Sequence, residues 1–346
     1  MSYSRRTFLS LSCGSGAALL VGNSQSVAAS AGPIVVGTWG GDYGQLLGDL
    51  VDKPLATAKG IEVVQDVANV DPRKTKLLAE RGSRRGSMDV ACLSDTDAYL
   101  LSQSDVLEQV GADQVSRLGS VFRQLRKKCS IPHIYSAQVI LYNPTKIPVP
   151  PRSYADLWDA RWRGRIGLSD ILYGANTLAA ALAGGGSVSN FDPAEKKLLE
   201  LRSLDVKIYP SNEALAAALK SEEVWITVMW LARGFMWKKA GIPLAHVVPE
   251  EGTPTVVFEA GVPRNAKNKV EAFAYLDAML DPRAQTGFAE KMGYAPTVRD
   301  ATLPEELARE VLLNEEERTR LLLLDYAYST GRSQRTLDFW NKQFKA

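Results

Sequence analysis

The stretch Ile34-Val35-Val36-Gly37-Thr38-Trp39-Gly40-Gly41-Asp42-Tyr43-Gly44 places the tightest limit on the fold. Ile34 to Thr38 reads as a short buried strand that breaks at the glycine pair and turns into a helix from about Gly44. Trp39 and Tyr43 flank the break, and Asp42 lies between them. In α/β proteins ligands collect outside the carboxyl ends of parallel strands. This corner therefore offers a stacking surface, exposed backbone N–H groups and a carboxylate at one edge. The rest of the chain is expected to build a facing wall.

The order that follows is strand, helix, strand, helix. A helix to about Ala58 stops at Gly60, and Ile61 to Val67 alternates as a strand. Asp71-Pro72 signals a helix start. The apolar strand around Val90 and Cys92 ends at Ser94-Asp95-Thr96-Asp97, a second strand-to-helix corner in which Ser94 and Asp97 have capping-box spacing. This βαβαβα order predicts a parallel sheet with both corners on one edge. Ile131 to Tyr142 then reads as a long extended segment, ended by Asn143-Pro144. A second α/β unit follows. Its strands end at Ser169-Asp170-Ile171-Leu172-Tyr173, at Ser211-Asn212-Glu213 and, after Val224 to Trp230, at Ala232-Arg233-Gly234. Val256 to Val262 looks like a strand leading back. Helices over about 270–280 and 282–292 and an amphipathic region over 304–328 complete the chain.

With 346 residues, 45% of them hydrophobic and 23% charged, the chain suits two ordinary globular domains better than one core. Residues 1–31 carry Arg5 and Arg6 and no acid, so the remainder holds 41 − 2 = 39 basic and 39 acidic residues. That balance gives no reason to expect nucleic acid or an anionic membrane as a partner. Residues 1–31 read as a cleaved export signal. Twin arginines precede Thr7-Phe8-Leu9, as in Tat-route signals, a modest apolar run follows, and cleavage is expected near Ala29 or Ala31. No run reaches the roughly 20 apolar residues of a membrane span, so the mature protein is expected to be exported, periplasmic and not inserted in the membrane. Cys92, in an apolar strand, is expected to be a buried inert thiol rather than half of a bridge to Cys129.

Enzyme signatures are thin. His133 and His246 have no metal-ligand partner at zinc spacing, and no nucleophile elbow or phosphate-binding loop is present. No metal or cofactor is expected. The strand ends carry the chemistry instead. Trp39, Asp42, Tyr43, Ser94, Asp95, Asp170, Tyr173, Asn212, Trp230, Phe258 and Glu259 are the candidate ligand-binding residues. Aromatic plates with a few carboxylates suit a small cation or amine, since the rings present a negative face and the acids give charge-assisted hydrogen bonds. Asp170 and Asn212 read equally well as helix caps.

The mature chain resembles the periplasmic solute-binding proteins of ABC importers, in the spermidine/putrescine-binding branch of bacterial extracellular solute-binding protein family 1. The resemblance rests on Thr38-Trp39-Gly40-Gly41-Asp42-Tyr43, on Ser153-Tyr154-Ala155-Asp156-Leu157-Trp158 with Gly164-Arg165-Ile166, on Val228-Met229-Trp230, on 262–268, and on Gly293-Tyr294-Ala295-Pro296-Thr297. It implies a two-lobed α/β fold of the Venus-flytrap type, each lobe a mostly parallel sheet flanked by helices. Crossover strands are expected near residues 134–141 and 254–262. Lobe 1 would comprise 32–136 with 258–300, and lobe 2 would comprise 137–257 with 301–346. Trp39, the Ser94 corner, Asp170 and Trp230 would line the cleft, and Tyr43 matches more loosely. Two positions depart from the polyamine pattern: Phe258 stands where an acid is expected, and Tyr173 stands where the family often has a glutamate. Fewer acids compensate a desolvated polycation less well, so a monoamine, a zwitterion or a small anion remains open beside a polyamine. The implied role is that of a monomer that captures a small solute and hands it to an inner-membrane permease. An exported two-lobed enzyme of transferase type, or a ligand-binding partner of a sensor, is the alternative.

Overall fold

The computed structural model describes residues 32–346, so the expected export signal lies outside the described residues. The strands are β1 Ile34–Thr38, β2 Val63–Val67, β3 Val90–Ser94, β4 Ile131–Tyr142, β5 Gly167–Ser169, β6 Lys207–Tyr209, β7 Ile226–Trp230, β8 Ala245–Val247, β9 Thr253–Gly261, β10 Ala295–Pro296 and β11 Leu321–Leu322. The main path runs β10-β4-β9-β3-β1-β2. β1 lies between β2 and β3 and is parallel to both, which puts the Trp39 and Ser94 corners on one edge. β9 runs antiparallel to β3 and to β4.

β4 is the long apolar segment of the sequence, and it serves two sheets. Residues 131–137 pair with β9, whereas residues 138–142 pair with β7 and β8. β5 and β6 form a parallel pair, tied to β7 through a bridge between Ile166 and Ile226. Parallel pairing is thus kept to β1–β2, β1–β3, β5–β6 and β9–β11, and the strands that pass between the halves supply the antiparallel pairs. A strand that brings the chain back into the first sheet enters against the direction of those already there, so the sheet is mixed.

Two sets of buried side chains lie on either side of the β4 partner switch. One gathers Ile34, Leu47, Val90, Leu276 and Phe288. The other gathers Ile140, Tyr154, Leu198, Ile226 and Trp340, with a neighbouring cluster around Val139, Leu215 and Trp237. The helix Leu231–Lys239 bridges them, because Ala232 packs into the first set while Leu231 and Trp237 pack into the second. Trp225 and Trp230, five apart, fall against different clusters, as strand alternation requires.

Three local expectations change. The first helix begins at Gly41, not Gly44, with Gly41 at φ +62°, in the left-handed region that favours glycine. Asn69 rather than Asp71 precedes the second helix, Val70–Glu80, so Pro72 sits inside its first turn, where its missing N–H costs nothing. The amphipathic region over 304–328 is not one helix. Asn314 forms a capping box with Glu317 and restarts the chain as Glu315–Thr319, and Asp325 caps a separate helix, Tyr326–Phe339. Cys92 and Cys129 are both buried and free.

Candidate functional site

The glycine pair lets the chain turn sharply behind β1 and tucks Tyr43 beneath Trp39. A Cβ on Gly44 would lie 2.5 Å from the Trp39 carbonyl oxygen, so this close approach requires glycine. Trp39 meets Tyr43 edge-on at 5.0 Å and Phe258 edge-on at 5.1 Å, and Phe258 meets Tyr294 edge-on at 5.1 Å. These T-shaped contacts suit the ring quadrupoles and fix the plates as one wall. The Tyr43 hydroxyl faces inward, 2.8 Å from Nδ1 of the fully buried His133, so Tyr43 offers the cavity its ring and not its oxygen. Burial drives the His133 pKa down to about 3, which keeps the imidazole neutral.

The facing wall comes from the ends of β5, β6 and β7. Tyr173 begins the helix Tyr173–Ala183, Asn212 begins the helix Asn212–Lys220, and Trp230 precedes the helix Leu231–Lys239. Between the walls lies a cavity of about 1210 Å³. Trp39, Asp42, Tyr43, Ser94, Asp95, Tyr173, Asn212, Trp230 and Phe258 all line it. Trp39 and Trp230, each only partly buried, share this one opening.

Two candidates do not line it. Asp170 turns away toward the C-terminal segment, where it accepts a hydrogen bond of 2.6 Å from Trp340 Nε1 and one of 2.9 Å from Lys345 Nζ. Burial opposes its charge, but these two donors hold its carboxyl below the usual range. Nor is it a helix cap, since Ser169 precedes the short turn that follows. Glu259 is 1% exposed, points to the opposite face of β9 from Phe258, and accepts a short hydrogen bond from the Ser130 hydroxyl. Burial pushes its pKa up to about 8.

The carboxylates that do line the cavity are mostly engaged. Asp95 accepts from the backbone N–H of Thr96 at 2.8 Å, from Val257 N–H at 3.3 Å and from the Tyr326 hydroxyl at 3.2 Å, and burial raises its pKa to about 6. Asp97 accepts the Ser94 hydroxyl at 2.7 Å and pairs with Lys74 at 2.9 Å, while the backbone N–H of Asp97 donates to Ser94 Oγ. Ser94 therefore serves as the helix cap that its spacing predicts. Lys74 also holds Asp71 at 2.9 Å. Asn212 follows the true cap, Ser211, and its buried Oδ1 has no hydrogen-bond partner among the described residues.

Sequence reasoning missed three residues. Arg73 is 1% exposed, stacks on Trp39 at 5.0 Å from behind, and donates to the carbonyls of Cys92 at 2.6 Å and Ala68 at 2.7 Å. It forms no ion pair among the described residues. The space it fills lies under Gly37, where a Cβ would come within 3.1 Å of Arg73 Cδ. Nothing in its local sequence separates it from the solvated lysines of the same helix. Arg73→Met removes both donors, from the buried Cys92 carbonyl and from the half-buried Ala68 carbonyl. The unfolding free energy from denaturant titration is expected to drop by about 2–3 kcal/mol. Tyr326, on the last long helix, reaches Asp95 and stacks on Tyr99 at 5.7 Å, with Lys127 Nζ 4.3 Å over its ring. Arg233 follows the strand end at Trp230, in the Ala232-Arg233-Gly234 corner, with no local motif that marks it as a ligand contact. It lines the cavity on the Trp230 side. No group of His, Cys, Asp and Glu among the described residues is arranged to hold a metal ion.

Comparison with known proteins agrees with this architecture. The family model described as "Bacterial extracellular solute-binding protein" matches residues 51–315. The spermidine/putrescine-binding periplasmic protein of Escherichia coli (strain K12) is 30% identical over 168 residues, 48% of this chain and 48% of that protein. The chain thus spans about half the length of the curated relatives it matches. Among solved structures, the Atu4243–GABA receptor has a TM-score of 0.79 at 20% identity, covering 91% of this chain and 98% of its own. An ABC transporter protein from Clostridium perfringens ATCC 13124 has a TM-score of 0.77 at 21% identity, covering 89% and 99%. These likenesses establish the fold as that of the two-lobed binding proteins.

Proposed function

Because the chain belongs to the bacterial extracellular solute-binding protein family, we propose that it captures a small polar solute between its lobes and delivers it to an ABC permease by hinge closure. The relatives bind solutes and are not enzymes. The observation that carries the reading is the single cavity shared by Trp39 and Trp230, one from each side of the β4 partner switch. In this proposal lobe 1 is 32–136 with 258–300, lobe 2 is 137–257 with 301–346, and the solute contacts both only in the closed form. Binding then shifts the population toward closure. The compact state is what the permease recognises, and the protein works as a monomer in the periplasm after export on the Tat route. No helix of the described residues is long and apolar enough to cross a membrane, in keeping with that placement. Small-angle scattering tests the hinge. The radius of gyration is expected to fall when the solute released from natively purified protein is added back, and binding without compaction would sink the idea.

A further inference from the structure

Resting on that reading, we infer that the cleft is built for a solute with an anionic group, held by Arg233, and at most one cationic end, as in an amino-carboxylate, and not for a polyamine. The cavity holds two cations, Lys74 and Arg233. Lys74 is neutralised by Asp71 and Asp97. Arg233 is half-buried and has no ion pair or side-chain hydrogen bond among the described residues. Its charge is felt by the Tyr294 phenol of the aromatic wall, whose pKa burial raises and Arg233 draws back. A guanidinium presents a planar fork of donors that fits a carboxylate in two parallel hydrogen bonds, and desolvation strengthens such a pair.

The rest of the cleft disfavours a second positive charge. Asp95, Asp97 and Asp71 already have donors, and the two other lining acids, Asp42 and Glu213, are exposed. Buried Arg73 sits behind Trp39, so the ring's other face already has a cation against it. The buried unmatched acceptors in the cavity are neutral: Asn212 Oδ1 and Thr255 Oγ1 have no hydrogen-bond partners among the described residues, and both residues line it. Neutral acceptors and ring faces suit one ammonium or another N–H donor.

Calorimetry with full-length mature protein tests this, using ω-amino-carboxylates of graded chain length, 4-aminobutyrate among them, against putrescine. Putrescine matches 4-aminobutyrate closely in length but has an ammonium in place of the carboxylate. The best amino-carboxylate is expected to bind more tightly than putrescine. Arg233→Gln is expected to weaken it by roughly tenfold to a hundredfold, with an unchanged melting temperature, because Arg233 has no partner to lose. Putrescine should bind the variant no less well than the parent. Tighter binding of putrescine overturns the inference, as does an amino-carboxylate affinity that survives Arg233→Gln or failure of every carboxylate to bind. Compaction of the protein on putrescine together with tighter binding of putrescine than of any amino-carboxylate would leave the proposed function standing while this inference fell.

Discussion

Glu259→Gln is expected to remove most of the loss of stability that the parent protein suffers between about pH 6.5 and pH 8. Glu259 is 1% exposed, its Oε1 has no hydrogen-bond partner among the described residues, and Ser130 is its one donor. Burial is the main cause of its raised pKa, about 8, against a model-compound value of 4.5, with Asp95 adding repulsion and Lys127 opposing it. The folded chain therefore keeps a proton that the unfolded chain gives up. Between those two values the native state holds more protons than the unfolded one, so stability falls with rising pH. The loss is roughly 1.4 kcal/mol for each pH unit in that window, and it is complete once the pH passes the folded value. Asp95, raised to about 6, adds to the fall at the acid end, but buried His133, held at about 3 in the folded chain, opposes it up to the ordinary imidazole value, so the window that isolates Glu259 lies above about pH 6.5. Glutamine keeps the shape and cannot ionise. Denaturant titrations at about pH 6.5, 7.2 and 8 should show a steep decline for the parent and a flatter one for the variant. Parallel declines would place the titration elsewhere.

Trp340→Ala is expected to cost about 3–5 kcal/mol, the range for truncating a buried indole in a packed core. Trp340 is fully buried against Phe344 at 4.7 Å, and its indole N–H holds Asp170. The alanine variant would open a cavity and leave Asp170 to Lys345 alone. Trp340→Phe separates the two effects. It keeps much of the volume but loses the hydrogen bond, and a charged acceptor without its donor costs about 1.5–3 kcal/mol. Asp170 lies one residue before Ile171, Leu172 and Tyr173, which line the cavity. Both variants should therefore also weaken solute binding in calorimetry. Equal melting temperatures for parent and alanine variant would show that the C-terminal segment is not part of the second core.

Most of the frame was legible because strand ends advertise themselves. The β1 corner and the Ser94 cap are local patterns; the cap stands where its spacing puts it, and the corner does too, though its helix starts at Gly41. The two lobes followed from counting α/β units and from family resemblance. Direction along the strand ends was not legible. Asp170 sits at a recognisable corner and Glu259 lies inside β9, but whether a side chain faces the gap or the interior depends on what packs behind it. For Asp170 the deciding partner, Trp340, is 170 residues away. Arg73 shows the converse, since a charged residue on a helix reads as solvated until the space beneath Gly37 is known. The breaks within 304–328 are hidden because the caps, Asn314 and Asp325, flank alternating charged and leucine-rich runs that continue a helix-like pattern.

β4 changes partners between Ala137 and Gln138 without interruption of its own backbone, and Gln138 is pinned there by its amide N–H to the Ala175 carbonyl at 2.9 Å and by the Tyr154 hydroxyl on its carbonyl at 3.1 Å. A device of this kind is a leaf spring and not a pin in a socket. Under the proposed hinge closure, swinging it would spread small torsions over a ribbon and rupture no ladder bond, so its resting angle would be governed by elasticity. In that proposed motion atoms beside the pivot would barely travel, and the part of the pocket next to Gln138 would be ready-made before any solute arrives. Contacts more remote from that ribbon, such as those offered by the exposed apolar pair Val67 and Ile171, would wait for the swing to finish.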